Sequence, residues 1–520
     1  MNVTREIKRG DHVSRVRAKG SKEEIEIKDL ETERRRDVVF SNLLLCRHHR
    51  SLADADGNEH YGIIVASRAS SLLFDDEGIL CEILSRLPVR SILRFKSVCK
   101  RWLSLIKHNA YFINLHFTRS QSRPNILFIT PSQKKIDGGD GYWYQPNKTP
   151  RQCIFLADIS SVLEGSSSSS FNSGEPKEAI IRNVRMTADD DWFVYDLVLK
   201  PVNGLVCFVD REAAAVRIYN VSTREETQWI KSTLIEEEKN RYAKEDGTIE
   251  INHWFPIYQF GFDPRTMQHK VFCFWRLSTT QSFLGRTCES QSYASWEALT
   301  VGHDTKWRRI SVVASDDNKM NLDEVVPQLD MGSCRVYANG IIYWLMNSMN
   351  HGDIYDTEVI VAFDVGSEKY RVIPIPNFIL DEPREKSFFS PIAMLELNGR
   401  VALTYRMSPF HLKLWILDDG ADKKIENCHG NDRNWSAESV KLPFHCYPSF
   451  VNFHAVEGTD QIVFECYDDL QRNLKSVSLY SYDRNKKTLT KIKIDGISLF
   501  PLHYSRSVFT TFTESLFLLH

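Results

Sequence analysis

Two adjacent pairs, Cys428-His429 and His445-Cys446, offer two thiols and two imidazoles 17 residues apart, the ligand types of a tetrahedral zinc site. Neighbours on a strand point to opposite faces, so these four groups do not converge, and no metal centre is expected. Residues 138–143, GGDGYW, are glycine-rich but lack the Lys-Ser/Thr and following helix of a phosphate loop, which predicts a turn. Residues 54–59, DADGNE, imitate part of a calcium loop. Placing Gly57 at its turn glycine puts Leu52 and Ile63 where oxygen ligands belong, so this too reads as a turn. HExxH, GxSxG and kinase signatures are absent from the sequence. The expectation is a non-enzyme with no cofactor, and the chemistry to look for is binding.

Composition supports that direction. The 520 residues are 42% hydrophobic and 26% charged with net charge −2, which is ordinary for a globular protein of two or three units. A near-neutral chain has no global field for polyanions, so no nucleic acid is expected. Eleven scattered cysteines without a Cys-x-x-Cys pair predict reduced thiols. The start MNVTREIKRGD lacks the apolar core of a signal peptide, and no stretch approaches the ~20 apolar residues of a membrane span. A soluble protein of nucleus, cytoplasm or both is expected, without membrane partners. Residues 1–69 are charged and poor in aromatics, which predicts a disordered tail. Arg34, Arg35 and Arg36 within it are flanked by acids and read as part of that solvated tail.

The densest binding signal runs from Leu73 to Phe117. Ile79, Leu80, Ile83, Leu84 and Leu87 fall on one helical face behind Asp75, Asp76 and Glu77, acids suited to a helix start. Pro88 ends that helix, Ser91 is placed to cap a second, and Ile92, Phe95, Val98, Cys99, Trp102, Leu103 and Ile106 continue an apolar stripe. So many large apolar groups exceed what about 45 residues can bury alone, and the surplus implies a partner. The run ILCEILSRLPVRSILRFKSVCKRWLSLI resembles the F-box, the module that docks the Skp-type adaptor of cullin–RING ubiquitin ligases. It departs at the opening, where Leu73-Phe74-Asp75 replaces the usual Leu-Pro. The resemblance implies an F-box over residues 70–118 with adaptor contacts from Phe74, Ile79, Ile83, Leu84, Leu87, Pro88, Val89, Leu93, Val98, Cys99 and Trp102. Ile79, Ile83 and Leu84 would also pack the helices.

Beyond Arg123 the texture is β. VRIYNV, QFGFD, VIVAFDV, LKLWILD and VSLYSYD alternate large residues at period two and end in or contain Asp or Asn, whose side chains accept turn N–H groups. TQWI, KVFCFW, YRVIPI and TKIKI follow the turns, which makes hairpins. Asn-Gly recurs at 203, 339 and 398, with Glu-Gly at 457. The later steps are about 60 residues, near the length of one four-stranded propeller blade, while the first is roughly two such units with an insertion. The fold class expected is α+β and multidomain: a small all-α module, then a large all-β domain, propeller-like, although a β-sandwich also satisfies the pattern.

These pieces, in order NGLVCF, IYNVSTREETQWI, YQFGFDPRTMQHKVFCF, VYANGIIYWL, VIVAFDVGSEKYRVIPIP, LELNGRVAL and LKLWIL, resemble the F-box-associated domain of a large plant family. The resemblance implies a β domain over residues 123–496, with a serine-rich insertion near 165–174 and a C-terminal segment at 497–520. It also implies a substrate receptor working with adaptor, cullin and RING subunits and binding a target protein that the sequence does not name. The alternative carried beside it is a scaffold or ligand-binding propeller that binds the adaptor without ubiquitin transfer. Target contacts are expected on residues 137–150, 278–295, 347–356 and 418–435, with Tyr142, Trp143, Tyr293, Tyr355 and Trp435 as anchors. Most other tryptophans, such as Trp192, Trp229, Trp254, Trp275, Trp344 and Trp415, read as core.

Overall fold

The computed structural model describes residues 77–131, 152–159, 177–181, 184–188, 195, 197–245, 249–253, 256–283, 286–314, 335–348, 357–382, 392–408, 411–418, 434–441, 453–457, 459–464, 476–495 and 508–519. Four short helices lead: α1 (Glu77–Leu84), α2 (Val89–Phe95), α3 (Lys100–His108) and α4 (Ala110–Ser120). Pro88, at φ −59°, occupies the N-cap of α2, and its carbonyl accepts from Ser91 and Ile92. Proline suits that place because no partner exists for the N–H it lacks. Ser91 therefore lies inside the first turn and is not the cap that the sequence suggested. The apolar stripe from Ile92 to Ile106 also breaks in two, since Cys99 is fully extended (φ −163°, ψ 165°) between α2 and α3. Asn109 caps α4, its Oδ1 accepting from the Phe112 N–H at 2.9 Å.

The β region opens with β1 (Asn125–Pro131), β2 (Gln152–Asp158), β3 (Lys177–Ile181) and β4 (Val184–Ala188). These do not form a complete sheet together. The first blade follows as β5 (Leu197–Val198), β6 (Leu205–Asp210), β7 (Ala215–Asn220) and β8 (Ile230–Lys231). Helix α5 (Leu234–Glu245) and β9 (Ile249–His253) precede the second, made of β10 (Ile257–Asp263), β11 (Gln268–Phe283), β12 (Arg286–Thr300) and β13 (Arg308–Ile310). Strand β14 (Val313–Ala314) then leads to the third: β15 (Arg335–Ala338), β16 (Ile341–Ser348), β17 (Thr357–Asp364) and β18 (Lys369–Pro374). After α6 (Asn377–Leu380) comes the fourth, β19 (Ile392–Leu397), β20 (Arg400–Ser408), β21 (His411–Leu417) and β22 (Trp435–Lys441). The fifth is β23 (Phe453–Ala455), β24 (Gln461–Phe464), β25 (Ser476–Asp483) and β26 (Thr488–Asp495). Last, β27 (Val508–Phe512) pairs antiparallel with β1, giving a closing sheet ordered β27-β1-β2-β4.

These six sheets are the blades of a six-bladed β-propeller. Each hydrophobic core lies between neighbouring sheets. Phe272, Phe274 and Trp296 of the second blade meet Ile342, Trp344 and Phe363 of the third. The third and fourth share Ile360, Ile375, Leu403 and Tyr405, and the fourth and fifth share Leu395, Leu414, Ile462 and Phe464. The closing blade packs on the fifth through Ile126, Phe128, Val463 and Ile492, and on the first through Leu127, Leu156, Val206 and Phe208. Alternate residues of one strand thus face two different cores. That is why β6, LVCFVD, is apolar on both faces.

The turns carry their sequence signatures. Asn203, Asn339 and Asn398 sit at φ 46°, 46° and 50°, each followed by a glycine near +80°, the geometry of a two-residue hairpin turn. They join the first two strands of blades one, three and four, so the spacing of about 60 residues is one blade. Blade two has Asp263 at that junction, its Oδ1 accepting from the Arg265 N–H at 3.0 Å. Asn220, Asp364 and Asp483 accept turn N–H groups in the same way at later junctions. Two boundaries move relative to the sequence reading. The β domain continues through Phe512, and residues 278–295 are mostly the paired ends of β11 and β12. Among the tryptophans, Trp275 and Trp344 are buried. Trp192 and Trp254 lie outside the described residues.

Candidate functional site

In α1, Ile79 is 37% exposed, Ile83 is half-buried and Leu84 is fully buried. Along the next stretch Pro88 is exposed, while Leu87, Leu93, Val98 and Cys99 are half-buried. Leu103 and Tyr111 also stand exposed, the latter at 65%. Val89 and Trp102 behave differently. Val89 is fully buried, Trp102 is 5% exposed, and the Trp102 ring meets Phe95 edge-on at 5.5 Å. They shape the surface from beneath and offer little of themselves to a partner, as does Leu84. Phe74 lies outside the described residues.

The Leu87-Pro88 junction is held by donors from α4 and the segment after it. His116 Nε2 donates to the Leu87 carbonyl at 3.0 Å, and the Arg123 guanidinium reaches the Arg86 and Leu87 carbonyls at 3.3 and 3.4 Å. Burial pulls His116 down to about 4, against the opposing pull of that carbonyl, so the ring is neutral near pH 7. Burial also lowers Arg123, while Glu514 and Asp158 pull it back up. Glu514 Oε2 in turn accepts from the Val89 N–H at 3.1 Å, satisfying a donor that α2 leaves open at its first turn. Lys96 on the far side of α2 approaches Glu225 at 3.7 Å.

Glu514 belongs to a C-terminal segment that the sequence reading set aside. Ser515, Leu516, Phe517 and Leu519 are all buried. Phe517 meets Phe117 of α4 and Phe262 of blade two at a tilt, with ring centres 5.6 and 5.4 Å away, and His269 of blade two edge-on at 5.2 Å. Asn220 Nδ2 donates to the Ser515 and Phe517 carbonyls at 3.3 and 2.9 Å, and Ser515 N–H donates to Ser222 Oγ at 3.0 Å. Glu457 accepts from Gln121 Nε2 at 2.6 Å and from Thr513 Oγ1 at 2.9 Å. The segment is therefore a shared filling between helices α2–α4 and the propeller turns at Gly204, Asn220 and Glu457. The one signal for it was its composition: TESLFLL is too apolar for a free end.

Of the residues singled out for target contact, Tyr293 and Trp435 are among the described ones. Tyr142, Trp143 and Tyr355 fall outside the described residues, as do Cys428, His429, His445, Cys446 and the two glycine-containing turns. Tyr293 donates its hydroxyl to Glu238 of α5 at 2.9 Å, so it ties β12 to its own scaffold. Trp435 opens β22 and packs, half-buried, on the core between blades three and four. Among the described residues no cluster of His, Cys, Asp or Glu is arranged to hold a metal.

The F-box associated beta propeller domain family matches residues 153–516, and the F-box domain matches residues 71–114. The chain belongs to this plant F-box family. F-box/LRR-repeat protein At2g40920 of Arabidopsis thaliana is 26% identical over 436 residues, covering 82% of each chain. F-box protein At1g30790 of the same plant is 26% identical over 434 residues, covering 80% of this chain and 88% of its own. F-box domains bind Skp-type adaptors, so Leu87, Pro88, Leu93, Val98 and Cys99, exposed or half-buried on α2 and the turns at its two ends, are the candidate adaptor surface. The propeller is the part left for recognition.

Proposed function

We propose that this F-box protein is the substrate receptor of a cullin–RING ubiquitin ligase. Leu87, Pro88, Leu93, Val98 and Cys99 dock the adaptor, and the propeller holds a target protein. The observation that carries this reading is the C-terminal segment, which joins the F-box helices to three propeller blades through Phe517, Asn220 and Glu457. A receptor works by proximity: the target's lysines gain effective concentration near the activated ubiquitin, and the receptor needs no catalytic group of its own. Such a coupling keeps the two binding surfaces in register. The work would take place in nucleus, cytoplasm or both.

The test is purification of the full chain from plant cells with its bound subunits identified by mass spectrometry. Adaptor, cullin and RING peptides are expected together. Adaptor without cullin would replace this reading with that of a scaffold. Leu87→Ala with Pro88→Ala should weaken adaptor binding by about 2 kcal/mol or more, as loss of a hot spot does. Undiminished binding by the purified double variant would place the adaptor contact elsewhere.

A further inference from the structure

The third and fifth blades each carry a fifth, outermost strand running parallel to the fourth. Strand β14 lies along β18, and β3 lies along β26. The fourth blade stands between them and ends in β22, whose outer edge has no partner among the described residues. The linker before the third blade supplies β14. The described part of the corresponding linker before the fourth, residues 375–382, holds α6, and Glu382 beyond it accepts from Trp415 Nε1 at 2.8 Å and pairs with Lys413. Among the described residues, the place filled on the third blade is open on the fourth.

Strand β22 lacks three of the devices that protect an edge: a proline, a bulge and a very short length. It is seven residues long, WSAESVK, with no proline or glycine, and it pairs with β21 without a bulge. The outermost strands of the first two blades are only two and three residues long. The hydrogen-bond phase of β22 is fixed. Asp418 N–H donates to the Asn434 carbonyl at 2.8 Å, so Ser436, Glu438 and Val440 bond to β21. Trp435, Ala437, Ser439 and Lys441 therefore point their N–H and C=O groups outward. The side chains of that outward set share a face with Trp415, which Phe378 meets edge-on at 5.3 Å. Phe378 is 41% exposed, and Ala437 between Trp435 and Ser439 is small and exposed. Glu438 is engaged from the other side by Arg484 and Lys487 of the fifth blade at 2.8 and 2.6 Å.

We propose that β22 is a strand-addition site for an extended segment of the target protein. The segment would run parallel to β22, as β14 and β3 run on the flanking blades, and seat an apolar side chain over Ala437 beside Trp435. Backbone bonds to residues 435, 437, 439 and 441 supply affinity, and the Trp435–Trp415–Phe378 side supplies selectivity for apolar residues at alternate positions. This deepens the receptor reading and rests on it.

The test uses the full chain bound to its adaptor and an array of synthetic peptides about ten residues long with apolar residues at alternate positions. At least one peptide should bind and slow amide exchange at Ala437 and Ser439, which exchange fast in its absence. Ala437→Pro and Ser439→Pro each remove an outward N–H without touching the ladder to β21, and should weaken the selected peptide about tenfold or more. Ser439→Ala keeps the N–H and leaves the seat over Ala437 unchanged, and should retain binding. Melting temperature and adaptor capture, measured on every variant, separate misfolding and failure of the receptor reading from failure of this site. The proposal is overturned if the adaptor complex forms and no peptide binds. It is overturned equally if folded proline variants bind undiminished, or if the Ala437 and Ser439 amides are already protected in the free complex by the chain's own segments.

Discussion

Glu514 is one carboxylate with two duties: it accepts the open Val89 N–H at the head of α2 and offsets the charge of Arg123. Glu514→Ala should cost about 1–2 kcal/mol in urea unfolding, the usual cost of losing a helix cap and a buried partner. Glu514→Gln keeps an acceptor and should cost less. His116 sets a pH dependence at the same place. Its folded value of about 4 lies below the ordinary 6.5, so its contribution is complete above pH 6.5 and is lost as pH falls toward 4. The slope this adds is at most ~1.4 kcal/mol per pH unit, and His116→Gln should flatten the stability profile across that window. Buried His269 titrates with the same sign, so the variant should remove only part of the slope. At this scale the sequence was readable where a residue acts locally. Asn220, Asp263, Asp364 and Asp483 accept the turn N–H groups their positions implied. It was unreadable where the partner lies hundreds of residues away, as for Glu514 with Val89.

Elements were legible to the extent that their periodicity was. The Asn-Gly turns at 203, 339 and 398 and the alternating runs beside them gave blades three and four almost directly. Blade count was hidden for two physical reasons. Blade two replaces Asn-Gly with an Asp263 turn, and the closing blade is assembled from strands at opposite ends of the chain. Burial also sorted the F-box positions in a way that spacing alone did not. Val89 and Leu93 lie four apart on one helix, yet only Val89 is fully buried. The turns themselves make a graded prediction. Gly204 has φ +80°, and a Cβ there would fall 2.3 Å from the Ser515 Cβ. Gly399 has φ +79°, but its nearest neighbour would be the flexible end of the Asn339 side chain. Both alanine variants are strained, and Gly204→Ala should lose more, by at least ~1 kcal/mol, because Ser515 is fixed from both sides. Equal melting temperatures for the two would show that the Ser515 contact yields.

For the molecule as a whole, the two chain ends should differ sharply in what they tolerate. Removing residues 1–65 should shift the melting temperature by less than about 5 °C, since that stretch has no core-forming pattern. Removing residues 513–520 should lower both melting temperature and adaptor affinity, because Phe517 and Glu514 serve propeller and F-box together. Loss of stability with adaptor affinity intact would show that the helices hold their adaptor-ready arrangement unaided. The closing blade also has a consequence for biosynthesis. Strand β1 leaves the ribosome ~380 residues before its inner partner β27, an interval of about 20–80 s at ordinary elongation rates. Throughout that interval β1 offers an unpaired edge, NILFITP, to any neighbouring nascent chain. Adaptor engagement during translation should therefore be incomplete until β27 and residues 513–519 have emerged, and chains interrupted before that point should be channelled to chaperones and degradation rather than compete with finished receptors.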